Sequence, residues 1–109
     1  MSMKMENNKA FADETFLASA EYKARPYTLK SKDVTADANG KKIVKAGTPL
    51  PKNDGTVKGL IITDADVTNN DLAVALVFEG EVSTAKLAKN GVTIADTAKA
   101  KLPRITFFD

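Results

Sequence analysis

The twelve residues from Asp71 to Val82 restrict the fold more than any other part of this 109-residue chain. Leu72, Val74, Leu76, Phe78, Gly80 and Val82 recur at every second position, and Ala73, Ala75, Val77, Glu79 and Glu81 lie between them. Side chains alternate across a strand with period 2, whereas a helix groups them at 3.6, so this run belongs in a sheet. The first face is apolar throughout. The second begins with Ala73, Ala75 and Val77 and turns acidic at Glu79, so it is half covered at its start and wet at its end.

The rest of the chain is read around that strand. Val57 to Thr63 is a compact apolar strand, and Arg104 to Phe108 is a final one with Ile105 and Phe107 on one side. Asn39-Gly40, between Val34-Thr35 and Ile43-Val44, predicts a hairpin turn in which both central residues tolerate positive φ. Ala46 to Pro51 holds two prolines, which removes two donors and confines the segment to an edge. Asn53-Asp54-Gly55 is a further turn. Ser83 predicts the cap of a short helix running to Lys89 and closed by Asn90-Gly91. A second helical stretch, from Asp96 to Leu102, stops at Pro103. The length allows one domain. The expected core is Leu60, Ile62, Leu72, Val74, Leu76, Phe78, Val82, Leu87, Ile105 and Phe107.

Residues 1–27 have a different texture and are read as an N-terminal arm in front of a domain spanning 28–109. Met1 to Lys9 is polar. Asp13-Glu14-Thr15 then reads as a helix start, and Phe16, Ala20 and Ala24 follow at i, i+4 and i+8 until Arg25-Pro26. Such a helix is too weak to stand alone. Phe11, Phe16, Tyr22 and Tyr27 would be its aromatic anchors on whatever it docks against. The expected fold is mainly β with a minor α+β character: a compact small β-barrel or β-sandwich-like domain with one or two short helices and this arm.

Composition narrows the chemistry. The chain has no Cys, His or Trp. Zinc sites of the usual ligands, Cys–His and Ser–His nucleophiles and the ordinary neutral-pH base are therefore excluded. Carboxylates, Lys and Tyr remain. Asp64, Asp66, Asn69, Asn70 and Asp71 form one oxygen-rich cluster, but a calcium loop starting at Asp64 would need Gly at the position of Asn69 and Glu at that of Ala75. Glu79 and Glu81 share a strand face, and no second constellation accompanies them. Asp54 to Gly59 lacks the Gly-Lys-Ser/Thr end of a phosphate loop. The expectation is no enzyme, no catalytic residue, no cofactor and no metal.

The formal charge of +2 is unevenly spread: eight basic against three acidic residues from Arg25 to Lys58, then five against seven from Gly59 to Asp109. That is either a solvated face or a basic rim for an acidic partner surface. Tyr22 and Tyr27 beside Lys23, Arg25, Lys30 and Lys32 keep open an alternative, a small basic nucleic-acid-associated or regulatory β-barrel. No apolar stretch reaches the roughly 18 residues of a membrane span, and the opening residues carry no targeting segment, so neither membrane nor leader is expected.

One series of short pieces resembles a known family. Lys42-Ile43-Val44-Lys45-Ala46-Gly47-Thr48-Pro49-Leu50 comes first, then Gly59-Leu60-Ile61-Ile62 and Asp64-Ala65-Asp66-Val67. Ala73 to Val82 leads on to the Leu87 helix, and Leu102-Pro103-Arg104-Ile105-Thr106-Phe107-Phe108 ends the series. In order and spacing, over about 70 of 109 residues, these are similar to the head-decoration and head-fibre base-domain proteins of tailed bacteriophages. The resemblance implies a non-enzymatic structural protein on the outer surface of a phage capsid. It would stabilise the mature head, with the major capsid protein and its own copies, as a homotrimer, for partners. The implied location is the virion exterior, after synthesis in the host cytoplasm. A head fibre carries a stalk after its base domain, and this chain stops at Asp109, so a decoration knob is expected. Ala73, Ala75 and Val77, a semi-apolar face in need of a cover, are the expected trimer interface. The four arm aromatics are the expected capsid contacts.

Overall fold

In the computed structural model, described here for residues 16–108, the alternating run becomes β6 (Leu72–Ser83). Six other strands, β1 (Leu17–Leu29), β2 (Ile43–Val44), β3 (Pro49–Leu50), β4 (Gly59–Ile61), β5 (Ala65–Asp66) and β7 (Ile105–Phe108), accompany two short helices, α1 (Thr84–Lys89) and α2 (Asp96–Lys99). A single 3-10 turn occupies Ser31–Asp33.

β6 is the axis of a five-stranded sheet ordered β1-β6-β4-β3, with β7 beside β6. The antiparallel strand β1 runs along one edge of β6, from the Leu17–Val82 pair to the Leu29–Leu72 pair. The other edge is shared. β4 pairs antiparallel at Leu76 and Val77, and β7 pairs parallel at Gly80 to Ser83. β2 and β5 form a separate two-stranded ribbon. The fold is mainly β, as the alternation predicts, and the sheet is open rather than a closed barrel.

Successive residues of a strand face opposite ways, so β6 feeds two cores. Leu76 and Ile61 point towards the ribbon and meet Val44, Ala65, Val67, Leu29 and Leu50. Val77 and Leu60 point the other way, into a core with Phe16, Val82 and Leu87 that Ile94, Ala98 and Leu102 close. The result is three layers: helices, sheet and ribbon. Val77 and Val82, of opposite parity, share the helix-side core because β6 is bulged between them. Lys23 pairs with Glu79 and Ala24 with Val77, which leaves Phe78 the extra residue.

Local rules hold where the context is local. Ser83 caps α1, its Oγ accepting from the Lys86 N–H at 3.2 Å, and Gly91 takes φ +75° just after the helix. β3 lies at the sheet edge with Pro51 immediately after it, as the two prolines require. Asn39-Gly40 forms its turn, with Gly40 at φ +79° and Asp37 Oδ1 accepting from the Asn39 and Lys41 N–H groups.

Several expectations are corrected. Residues 17–29 form a strand, not a helix, so the boundary placed at residue 27 cuts through the sheet and this part of the arm belongs to the domain. The expected helix start at Asp13-Glu14-Thr15 lies outside the described residues. Val34-Thr35 is not a strand, and β2 pairs with β5 instead of closing a hairpin. Leu72 is 42% exposed because it lies at the outer end of β6, and Ile62, Val74, Phe78 and Phe107 are only partly covered. Leu60, Leu76, Val82, Leu87 and Ile105 are buried as expected, and Phe16, Leu17, Leu29, Ile61, Val67, Val77, Ile94, Ala98 and Leu102 join them.

This division gives a paired prediction. Leu76→Ala should lower the unfolding free energy by about 2–5 kcal/mol, the range for emptying a buried leucine site. Leu72→Ala, at the exposed end of the same strand, should stay within about 1 kcal/mol. Urea titrations of the two variants read the difference, and equal losses would contradict the burial pattern.

Candidate functional site: a basic cleft at the strand bulge

The bulge in β6 shapes the surface as well as the core. β4 leaves β6 at Val77 and β7 joins it at Gly80, so Phe78 and Glu79 lie at the gap between the two neighbours. The Gly80 N–H donates to the Arg104 carbonyl at 3.2 Å, which holds the loop before β7 against this gap. Phe78 forms part of an open cleft of about 450 Å³, with Val57, Leu102 and Pro103 as its other apolar walls. Arg25 of β1, Lys58 just before β4, and Lys101 and Arg104 before β7 line the same cleft. Among the described residues no acidic side chain does. The Arg25 guanidinium stands 4.4 Å from the Phe78 ring centroid, where the face of the ring attracts a cation.

Glu79 lies beside the cleft and brackets it. It meets Arg104 at 3.4 Å and Lys23 at 3.9 Å, and so ties β1 to the β7 loop. Among the described residues Arg25, Lys58 and Lys101 make no ion pair. Across Arg104 a second groove, of about 390 Å³, is of mixed charge, with Glu21, Glu79 and Glu81 along it beside Lys23 and Arg104. The Glu79–Glu81 pair noted in the sequence therefore lies in an open groove, and Glu79 is already engaged by two cations.

The oxygen-rich run from Asp64 to Asp71 is dispersed by the fold. Asp64 Oδ1 accepts from the Ala46 N–H at 2.7 Å, and its other oxygen meets Lys45 at 3.3 Å. Asp71 Oδ1 accepts from the Ser31 N–H at 2.9 Å. Asp66 accepts from the hydroxyl and N–H of Thr68, and these bonds hold its carboxyl below the ordinary value of 3.8. Thr56 does the same for Asp54. Each of these carboxylates serves a local turn or a strand connection.

The expected contact residues separate. Tyr22 is 41% exposed on β1, opposite Gly80. Tyr27 is half-buried against the ribbon-side core. Phe16 is fully buried in the helix-side core and so cannot serve as an anchor in a partner's pocket in this fold. Phe11 lies outside the described residues. Of the expected trimer face, Ala73 is exposed and Ala75 half-buried, whereas Val77 is sealed into the same core as Phe16 and offers nothing to a second copy. The basic cleft escapes sequence reading because its cations come from three separated segments. The excess of basic residues from Arg25 to Lys58 is its only trace in the sequence.

No protein-family model, curated protein or solved structure matches the chain.

Proposed function

We propose that this protein is a capsid decoration protein: a non-enzymatic domain that binds the outside of a tailed-phage head and stabilises its mature form. One observation carries this reading. The short pieces that resemble head-decoration proteins fall on β2, β3, β4, β5, β6 and β7, which join in one domain around β6. Pieces that are separate in sequence thus act as the parts of one structure. The exposed apolar side chains Tyr22, Ile43, Leu72 and Phe108 give such a domain contact points for a shell and for its own copies.

Decoration needs surfaces and no chemistry. A protein that binds the expanded shell and not its precursor shifts the equilibrium towards the expanded state, by about 2.7 kcal/mol per site at a free concentration one hundred times Kd. Three linked contacts in a trimer add avidity to individually modest ones.

The test uses expanded and unexpanded shells assembled from tailed-phage major capsid proteins. Expanded shells should retain the protein through sedimentation, in multiples of three copies, and unexpanded shells should not. Failure of both to retain it would refute the reading, and a stable dimer at all concentrations in light scattering would refute the trimer.

A further inference from the structure

The geometry points to the cleft beneath Arg25 as a binding site for an acidic peptide segment that also carries an apolar side chain. This goes beyond capsid decoration and does not depend on it, because the recognition resides in the cleft and not in the identity of the partner.

Three features carry the inference. The first is charge: Arg25, Lys58, Lys101 and Arg104 converge on one cleft from β1, the β4 approach and the β7 approach, with no carboxylate among the described residues lining it. A single exposed cation contributes little to binding. Several aimed at one point create a local positive potential that draws an anion in. The second is the floor. The partly covered Phe78 and the exposed Pro103, above the buried Val57 and Leu102, give the mainly polar cleft one apolar patch. A bare anion would therefore use only its rim, whereas a side chain such as leucine next to a carboxylate uses both. The third is construction. Phe78 is delivered by the bulge, the mouth is pinned by the bond from Gly80 to Arg104, and Glu79 holds Arg104 in place from one side.

The neighbouring groove separates a peptide from a nucleic acid. Single strands are bound along basic tracks that follow several nucleotides, about 4–16 for one small barrel. Here a phosphate chain leaving the cleft past Arg104 would meet three carboxylates, Glu21, Glu79 and Glu81, with Lys23 as the one further cation among the described residues that line the groove. A peptide has no such difficulty, since its acidic residues can be confined to the cleft.

The experiment uses the full chain and a short fluorescein-labelled peptide of alternating aspartate and leucine, followed by fluorescence anisotropy. The peptide should bind, and binding should weaken as salt is raised. A Lys58→Glu/Lys101→Glu double variant changes two exposed side chains and should keep its fold while binding at least about tenfold more weakly, since it sets like charges against the ligand. A Lys41→Glu/Lys52→Glu variant carries the same charge change away from the cleft and should bind as the parent does. Replacing leucine by serine in the peptide should also weaken binding. The inference is overturned by a peptide that does not bind, by equal losses in the two double variants, or by a thymidine oligonucleotide that displaces the peptide at lower concentration than unlabelled peptide does. Shell binding is measured separately, so failure of the cleft and failure of the decoration reading are distinct results.

Discussion

Phe16→Ala should lower the unfolding free energy by about 3–5 kcal/mol, the cost of emptying a buried phenylalanine site. The side chain is fully buried among Leu60, Val77, Val82 and Leu87 in the helix-side core. The backbone at this residue also matters, because the Phe16 carbonyl accepts from the Ser83 N–H at 2.8 Å where β6 passes into α1. Single domains are stable by about 5–15 kcal/mol in total, so this one substitution removes a large share. A chain starting at Arg25 should fare worse. It loses Phe16, Leu17 and the half of β1 that pairs with Glu79, Gly80 and Val82, together with the Leu17 carbonyl that accepts from Lys86 Nζ at 3.2 Å. Urea denaturation followed by circular dichroism reads both. A loss below about 1 kcal/mol for Phe16→Ala would place the side chain outside the core. A truncated chain as stable as the parent would show that β1 is dispensable.

Gly47→Ala should be comparably severe for a different reason. Gly47 has φ +94°, a conformation that costs a residue with a Cβ about 1–3 kcal/mol. A Cβ there would also press into Leu87 Cδ2 and come within 3.2 Å of Phe16 Cδ2, at the point where the turn before β3 closes over the helix-side core. Overpacking of that kind adds about 1–3 kcal/mol. Gly40→Ala provides the control. Gly40 also has positive φ, at +79°, but a Cβ there would meet nothing within 4 Å. It should therefore show the backbone cost alone. The difference in melting temperature between the two variants isolates the steric part, and identical losses would mean that Leu87 and Phe16 do not close over Gly47.

The two variants also mark the line between local and distant information. Ala46-Gly47-Thr48-Pro49 announces a turn into a proline-bounded edge, and β3 is such an edge. That the glycine must also make room for Leu87 and Phe16 is visible only once the chain has folded.

Much of the architecture was legible because its signals are carried by neighbouring residues. The alternation from Leu72 onward specifies a strand whatever lies beside it. Ser83 and Asn90-Gly91 delimit α1 through backbone groups within a turn of them, whereas α2 ends at Lys99, short of the expected Leu102 and before Pro103 is reached. β1 was not legible. Phe16, Ala20 and Ala24 fall at helical spacing, and Ala20 to Pro26 is exposed throughout, so no period of 2 appears. Tyr22, Tyr27 and Thr28 favour a strand, and Pro26 is tolerated at a sheet edge, but these preferences settle nothing until a partner is present. That partner is β6, far along the chain. The same holds for β2, which leaves the nearer Val34-Thr35 to pair with β5.

The bulge at Phe78 was decided by the tertiary structure alone, since it arises from the register that β1 adopts on β6. It places Val77 and Val82 in one core and takes Val77 away from any interface. It also leaves Phe78 at the gap where segments from three parts of the chain bring their cations together. Sequence by itself determined the elements whose hydrogen bonds and periodicity are local. Pairing, register and the cleft depend on contacts between distant residues, which have no counterpart in the order of the chain.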